Sequence, residues 1–350
     1  MWGKKKDNSN FFALDFGGST IKVVKLNYAN RNPSLVAFGS VATPFGVNGS
    51  ENEEHKKSLA ESIKSLVSEL DIKTNNVAIS LPDSSIFSRI IRIPAKKESD
   101  LEEAVFWATK RNVPIPPDEV QVDWSIVNET HNQSDDVVQY DILLVAAPKL
   151  LISRYIDILN IADLNPILIE TESLSLTRSI SSENEASPSV IMDFGHSDIE
   201  VVIEFKGKLL FTQTISTGSY ILTKAIAQEF NLEEIQAEEY KKSYGLDPSQ
   251  LDGKIYRTIG PIMDSIINEL RRIINAYKAT NVAEMPTKIA LVGNGSMLPG
   301  LVLYMARNLN VEVEVGNPAS KIYIDPEVKN KMPALLPGYA VAMGLALKVQ

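Results

Sequence analysis

Two short segments in distant parts of the chain read as variants of one device: Leu14-Asp15-Phe16-Gly17-Gly18-Ser19-Thr20 and Met192-Asp193-Phe194-Gly195-His196-Ser197-Asp198. Each follows an apolar strand-like run, leads into another, and sets an Asp two residues before a Gly. A repeated Asp-x-Gly hairpin predicts two related halves facing each other across a cleft. Glycine lets a backbone turn tightly and approach a ligand. Successive N–H groups in such a turn form an anion nest, and the Asp offers an oxygen to a hydrated divalent cation. The simplest ligand for two such turns is a nucleoside triphosphate with Mg2+.

Composition narrows the classes. The chain has 350 residues, enough for two or more domains with full cores. Its net charge of −9 argues against a phosphate-backbone partner, so no nucleic acid is expected. There is no cysteine, which excludes disulfides and thiolate metal sites. No apolar run reaches bilayer-spanning length. The start, Met1-Trp2-Gly3-Lys4-Lys5-Lys6, leads into polar residues rather than the apolar stretch of a signal peptide. A cytoplasmic location is expected, with the Trp2 and Lys4–Lys6 tip either a solvated terminus or a weak contact with anionic lipid.

Hydrophobic patterning predicts an α/β chain. Strands are expected over 11–16, 21–26, 34–43 and 77–81, with an amphipathic helix over 54–70. A segment of different character follows: a strand over 87–93, a helix opened by Ser99 as N-cap with Glu102 completing a capping box, a hairpin over 120–146 and a helix over 150–164. It reads as a small subdomain inserted into the first half. After a strand over 166–169, a helix over 172–180 and a polar linker, the first pattern restarts. Strands are expected over 190–192, 200–205 and 209–215. Helices follow over 219–230, 232–244 and 255–280, then a strand over 288–292, a helix over 298–309, a strand over 311–315 and an apolar helix over 337–349.

In the first hairpin Gly17, Gly18, Ser19 and Thr20 can donate to phosphate oxygens, and Lys22 on the second strand can meet a phosphate as a point charge. A plain glycine-turned hairpin with an exposed Lys is the alternative. Asp193, Gly195 and Ser197 repeat the logic; His196 is read as a tolerated turn residue. A third element, Leu291-Val292-Gly293-Asn294-Gly295-Ser296, runs from a strand into a helix start. Its glycines let a flat ring or ribose lie against backbone, and a helix N-terminus favours an anion.

Together these residues have the order and spacing of the actin-like ATPase superfamily, which includes actin, sugar kinases, FtsA and MreB. Its phosphate-one, connect-one, phosphate-two, adenosine and connect-two signatures match 15–22, 172–180, 193–198, 293–300 and 337–345. Within it the chain resembles the PilM family of the type IV pilus machine. The narrower likeness rests on Arg89-Ile90-Ile91-Arg92-Ile93-Pro94, Phe106-Trp107, Val113-Pro114-Ile115-Pro116-Pro117-Asp118-Glu119-Val120, Asp123-Trp124, Leu143-Leu144-Val145-Ala146-Ala147-Pro148-Lys149 and Thr217-Gly218-Ser219. Gly218-Ser219 stands where that family usually has Gly-Gly.

The resemblance implies an actin-like (ribonuclease H-like) two-domain fold with an FtsA/PilM-type inserted subdomain. The first domain would span 1–86, completed by 165–185 and 334–350, with the insert at 87–164. The second would comprise 186–230 with 286–333 and an outer part at 231–285. It implies ATP and Mg2+, with Asp15 and Asp193 holding the metal through waters. Gly17, Gly18, Ser19, Thr20, Lys22, Gly195 and Ser197 would serve the phosphates; Gly293, Gly295 and Ser296 the adenosine; Glu269 and Arg272 the ribose or adenine edge, unless they belong to a solvated helix face; and Gly218 would also be nucleotide-binding. Glu172 would orient an attacking water. It further implies a groove for the N-terminal cytoplasmic peptide of PilN, an inner-membrane protein, with Trp107, Ile115 and Trp124 as groove or core residues. The pilus motor ATPases and self-association are further expected contacts, and membrane attachment would come through a partner. The competing expectations are an FtsA-like division adaptor and an enzyme acting by ATP turnover.

Overall fold

The computed structural model describes residues 10–28, 32–44, 52–131, 137–280, 284–329 and 336–348. The basic tip at Trp2 and Lys4–Lys6 lies outside the described residues, as does the middle of the hairpin expected over 120–146.

The apolar run after Asn10 forms β1 (Phe12–Phe16), whose Phe12, Ala13 and Leu14 have no exposed surface. The glycine turn sends the chain back antiparallel as β2 (Thr20–Asn27), and β3 (Ser34–Ala42) follows antiparallel at the edge. Helix α1 (Glu53–Glu69) starts where the Asn52 side chain accepts the Glu54 N–H at 2.8 Å, and it buries Leu59, Ala60, Ile63 and Leu66. Strand β4 (Asn76–Leu81) then runs parallel to β1.

The inserted segment builds its own sheet from β5 (Phe87–Ala95), β6 (Val120–His131) and β7 (Val138–Pro148), with β7 in the middle and α2 (Leu101–Asn112) packed on one face. The capping box expected at Ser99 does not form. Residues Glu98–Asp100 make a 3-10 turn, α2 begins at Leu101 without a side-chain cap, and the Ser99 hydroxyl turns to Asp100 instead. Helix α3 (Lys149–Ile161) returns to the first sheet and delivers β8 (Asn165–Thr171), parallel to β4. The order is β3-β2-β1-β4-β8.

Helix α4 (Glu172–Ile180) leads to a second five-stranded sheet of the same plan. Strands β9 (Ser189–Phe194), β10 (Ile199–Phe205) and β11 (Lys208–Ile215) form the antiparallel meander. Helices α5 (Tyr220–Phe230), α6 (Glu234–Tyr244) and α7 (Lys254–Lys278) follow, and β12 (Lys288–Val292) and β13 (Glu312–Val315) complete the parallel side. The capping box that does form is at α6, between Glu233 and Gln236. Helix α8 (Leu301–Leu309) begins later than expected. Residues Asn294–Met297 take a 3-10 turn, and Gly300 at φ +77° separates that turn from the helix. The four-residue α9 (Pro326–Lys329) precedes α10 (Ala340–Ala346), in which every residue is buried.

One core joins the two sheets. Ala13, Val24 and Leu26 from the first, Ile191, Val202, Leu209 and Val292 from the second, and Leu176 of α4 with Val341, Met343 and Leu345 of α10 form a single apolar cluster. Helices α4 and α10 cross so closely that a Cβ at Gly344 would stand 1.9 Å from the Ser175 carbonyl oxygen. The two lobes therefore meet through this helix pair, beside the ends of β1 and β9 where both Asp-x-Gly turns project.

Candidate functional site

The two turns face each other. A Cβ at Gly18 would lie 3.0 Å from Ser197 Oγ and within 4 Å of His196, so the first hairpin abuts the second with glycine at the contact. Each turn also uses its first glycine in the same way. A Cβ at Gly17 would meet the Thr20 carbonyl oxygen at 2.6 Å, and one at Gly195 the Asp198 carbonyl oxygen at 2.7 Å. Thr43 braces the first turn, its hydroxyl donating to the Gly17 carbonyl at 2.8 Å.

Between the turns lies a cleft of about 410 Å3. Asp15, Gly17, Gly18, Ser19, Thr20, Lys22, Glu172, Asp193, Gly195, Ser197 and Gly293 all line it. Hairpin register explains the placement of the charges. Asp15 pairs with Lys22 across β1–β2, and the ammonium lies 3.5 Å from Asp15 Oδ2. The equivalent pair across β9–β10 is Asp193 with Glu200. Where the first hairpin carries a cation, the second carries a buried carboxyl, held by the hydroxyls of Thr212 and Thr214. Glu172, at the start of α4, is set by the Thr171 N-cap.

The cleft is overloaded with carboxyls. Burial pushes Asp193 up to about 7, with Asp15 and Asp198 adding repulsion against the pull of Lys22. Burial also raises Asp15, which Lys22 opposes. Glu172 stands well above the ordinary carboxyl range, first through burial and then through Asp15, Asp83, Asp193 and Asp198. Asp83 rises to about 6 by burial, although the Ser173 N–H and hydroxyl both donate to it, at 2.8 and 3.0 Å. Among the described residues Lys22 is the only Lys or Arg lining the cleft. The Thr20 hydroxyl is buried there with no partner. This donor set fits a hydrated divalent cation: it has surplus negative potential, and among the described residues no group of three or more acidic or His side chains is gathered to ligate a metal directly.

Other predicted residues stand one step back. A Cβ at Gly218 would meet the His196 carbonyl oxygen at 2.3 Å, so this glycine lets the 217–219 turn dock behind the second hairpin. Ser219 donates its N–H to the Gly195 carbonyl and Tyr220 to that of His196. Ser219 itself sits in the right-handed helical region at φ −67°, so the turn does not need a second glycine. Gly295 packs against Phe194, and the buried Ser296 hydroxyl is spent on the Gly293 carbonyl at 2.7 Å. These two shape the third loop without lining the cleft. Glu269 and Arg272 pair with each other at 2.7 Å on the exposed side of α7 and do not line the cleft either, because the apolar stripe of that helix turns the opposite face inward.

The structure adds residues that the sequence reading passed over. Asn294, Gly338, Tyr155 and Glu200 line the cleft. Gly338 approaches Asn294 so closely that a Cβ would stand 2.1 Å from its Oδ1. His196 stacks on Tyr220 with centroids 4.8 Å apart, and burial together with nearby Lys241 lowers its pKa. Lys241, buried on α6, donates to the Ser219 carbonyl and the Thr223 hydroxyl and pairs with Glu238, pinning the turn behind the hairpin. The Pro82-Asp83 step directly after buried β4 was the one local signal available for Asp83.

The three expected groove residues are not brought together. Trp124 is half-buried and lines a narrow apolar cleft with Leu81, Leu143, Val145, Ile169 and Leu174, between the insert and the first lobe. Trp107 is 54% exposed on α2 and lines a different groove along β5. Ile115 is half-buried and lines neither.

Paired meanders around a turn-lined cleft define an actin-like ATPase fold, and solved structures share it. The ethanolamine utilization protein EutJ from Carboxydothermus hydrogenoformans superposes with TM-score 0.53 at 15% identity, over 96% of this chain and 88% of that one. MreB5 of Spiroplasma citri bound to ADP does so with TM-score 0.51 at 11% identity, over 97% and 95%. A much stronger likeness is to a PilM–PilN type IV pilus biogenesis complex, with TM-score 0.83, 26% identity and coverage of 97% and 98%. The sequence pattern of the type IV pilus assembly protein PilM family matches residues 13–350, and the chain belongs to that family. No curated protein matches the sequence.

Proposed function

We propose that this type IV pilus assembly protein is an ATP-binding adaptor that couples nucleotide in its cleft to a peptide of an inner-membrane partner. The observation that carries the reading is the contact of the two Asp-x-Gly turns across a carboxyl-rich cleft, Gly18 against Ser197. Asp15 and Asp193 would hold Mg2+ through its waters. The turns at 17–20 and 195–197 would donate N–H and hydroxyl groups to the phosphates, the unpartnered Thr20 hydroxyl among them. Lys22 would neutralise phosphate charge. Gly293 and Asn294 border the cleft and would lie along the nucleoside. Magnesium, when bound, supplies the positive charge that this cleft lacks.

Its partner would be the N-terminal cytoplasmic peptide of a PilN-like protein, as the strong likeness to a PilM–PilN complex supports. The narrow apolar cleft at Trp124 offers it a preformed seat. No helix of the described residues is long and apolar enough to cross a membrane. Attachment to the cytoplasmic face of the inner membrane would come through that partner.

A second reading, turnover, rests on Glu172. Its pKa is held high by burial and neighbouring carboxyls. It becomes able to accept a proton from water only when a cation offsets those charges. Fluorescent ATP binding and phosphate release, followed in one sample with and without PilN peptide, separate the readings. Tight Mg2+-dependent binding with negligible release is expected for an adaptor. Sustained release stimulated by peptide would establish a turnover cycle, and no binding would remove the nucleotide from the function.

A further inference from the structure

The inserted sheet has two edges of opposite character. Its β6 edge carries Trp124 and the narrow apolar cleft. Its other edge is β5, which hydrogen-bonds to no strand but β7 among the described residues. Along β5 and α2 runs a groove of about 550 Å3. Among the described residues three arginines line it, Arg89, Arg92 and Arg111, and no Asp or Glu does. Arg92 is already paired with Asp141 through Nε at 2.7 Å. Arg89 and Arg111 are exposed and make no ion pair or hydrogen bond among the described residues.

One large apolar side chain of this charged groove, Trp107, is exposed, and Phe106 beside it on α2 lies outside the lining. Phe106 and Trp107 are 53% and 54% exposed, with rings edge-to-face at 5.5 Å. Lys110 lies over both, its ammonium 4.4 Å from the Phe106 centroid and 5.1 Å from that of Trp107. Solvated charge alone would protect a sheet edge. It does not explain an adjacent exposed aromatic pair, which is the composition of a binding anchor rather than of a rim.

We propose that this groove docks an acidic, extended segment of a second partner protein. The strand would add to the β5 edge through main-chain hydrogen bonds. Its carboxylates would meet Arg89 and Arg111, which present bidentate donors. An apolar side chain on it would pack against Trp107. The charge requirement follows from the lining: three guanidinium groups with one matched carboxylate, in a chain whose net charge is −9. The concave shape suits a chain segment better than a flat lipid surface. Because the two grooves lie on opposite edges of one sheet, the insert would hold two segments of different chemistry at once.

The test uses the full chain and a fluorescein-labelled octapeptide alternating glutamate with leucine and phenylalanine, read by fluorescence anisotropy. A second peptide carries lysine in place of glutamate. The wild type should bind the acidic peptide and reject the basic one. The double variant Arg89→Glu with Arg111→Glu should lose about tenfold or more in affinity, since charge-assisted pairs are replaced by like charges. Both sites are exposed, so circular dichroism and ATP binding should be unchanged, and PilN-peptide binding should also persist. That last control keeps a failure of this proposal distinct from a failure of the partner assignment above. Equal binding of the acidic peptide by wild type and variant would overturn it, as would no binding at all. Two other results would overturn it by naming a different occupant. One is a wild-type dimer in light scattering that the variant loses, with no peptide binding. The other is flotation with phosphatidylglycerol vesicles that the variant loses, again with no peptide binding.

Discussion

Asp193 is the residue on which the proposed nucleotide site turns, and its place in the cleft depends on a glycine. Gly293 sits at φ +81°, and a Cβ there would fall 2.1 Å from Asp193 Oδ1. Asp193→Ala should abolish Mg2+-dependent ATP binding while leaving the fold intact, measured by fluorescent ATP titration with and without Mg2+. Unchanged affinity would remove Asp193 from the site. Gly293→Ala should reach the same loss indirectly, by displacing that carboxylate, and should also destabilise the chain by about 1–3 kcal/mol through backbone strain. Thermal melts separate the two effects. The contrast shows what was legible at this scale. Asp15, Gly17, Gly18, Asp193 and Gly195 were readable because a turn writes its needs into adjacent residues. Glu200 was not, because only strand register brings it to the cleft, and Asn294 and Gly338 lay inside the matched 293–300 and 337–345 segments without being singled out. Glu269 and Arg272 misled for the converse reason: charged residues on a long helix look alike until its buried stripe is known.

At the scale of elements, the α4–α10 crossing is what joins the lobes. Ser173 and Thr177 on one side of α4 and Ser175 and Ser179 on the other are all buried small side chains, and Gly344 of α10 closes onto the Ser175 backbone. The crossing is fastened by Arg178, which donates to both oxygens of Glu170, at 2.7 and 2.9 Å, and to the Gly344 carbonyl. Gly344→Ala should force the helices apart and cost about 3 kcal/mol of stability, as overpacking of a tight contact does. Gly260 makes the opposite case. It lies inside α7 with its nearest Cβ neighbour, the Tyr304 hydroxyl, at an ordinary 3.8 Å. Gly260→Ala should therefore cost much less than Gly344→Ala, the helix-propensity gain of up to about 1 kcal/mol being opposed by the crowding that Pro261 imposes on a Cβ at the residue before it. Chemical denaturation of the two variants beside the wild type reads the difference. Most elements were visible as periodicity. Their ends were not, since Ser99 fails as a cap and Gly300 delays α8, both matters of backbone conformation rather than pattern.

For the whole molecule, the crowded carboxyls make nucleotide-free folding a proton-linked event. Asp193 titrates near 7 in the folded cleft, against about 3.9 for an unfolded aspartate. Between those values the folded chain holds a proton that the unfolded chain has lost. Its contribution is therefore full below about pH 4 and disappears as the pH rises through 7. Asp83, near 6, acts in the same direction. From pH 5.5 to 7.5 Asp193 alone should cost about 2 kcal/mol, which for a chain of this size lowers Tm by a few degrees. Magnesium nucleotide should reverse the dependence, because the cation takes the place of the protons and binds best once they have left. Melts at pH 5.5 and 7.5, with and without Mg2+-ATP, test this. The nucleotide-free protein should be the more stable at pH 5.5, and the stabilisation by Mg2+-ATP should be larger at pH 7.5. In Asp193→Asn both differences should shrink together, because in the proposed site one carboxyl would carry the proton in the empty cleft and hold the metal in the filled one. A variant that kept the pH slope but lost the response to magnesium would separate those roles and place the titrating carboxyl at Asp83 or Glu172.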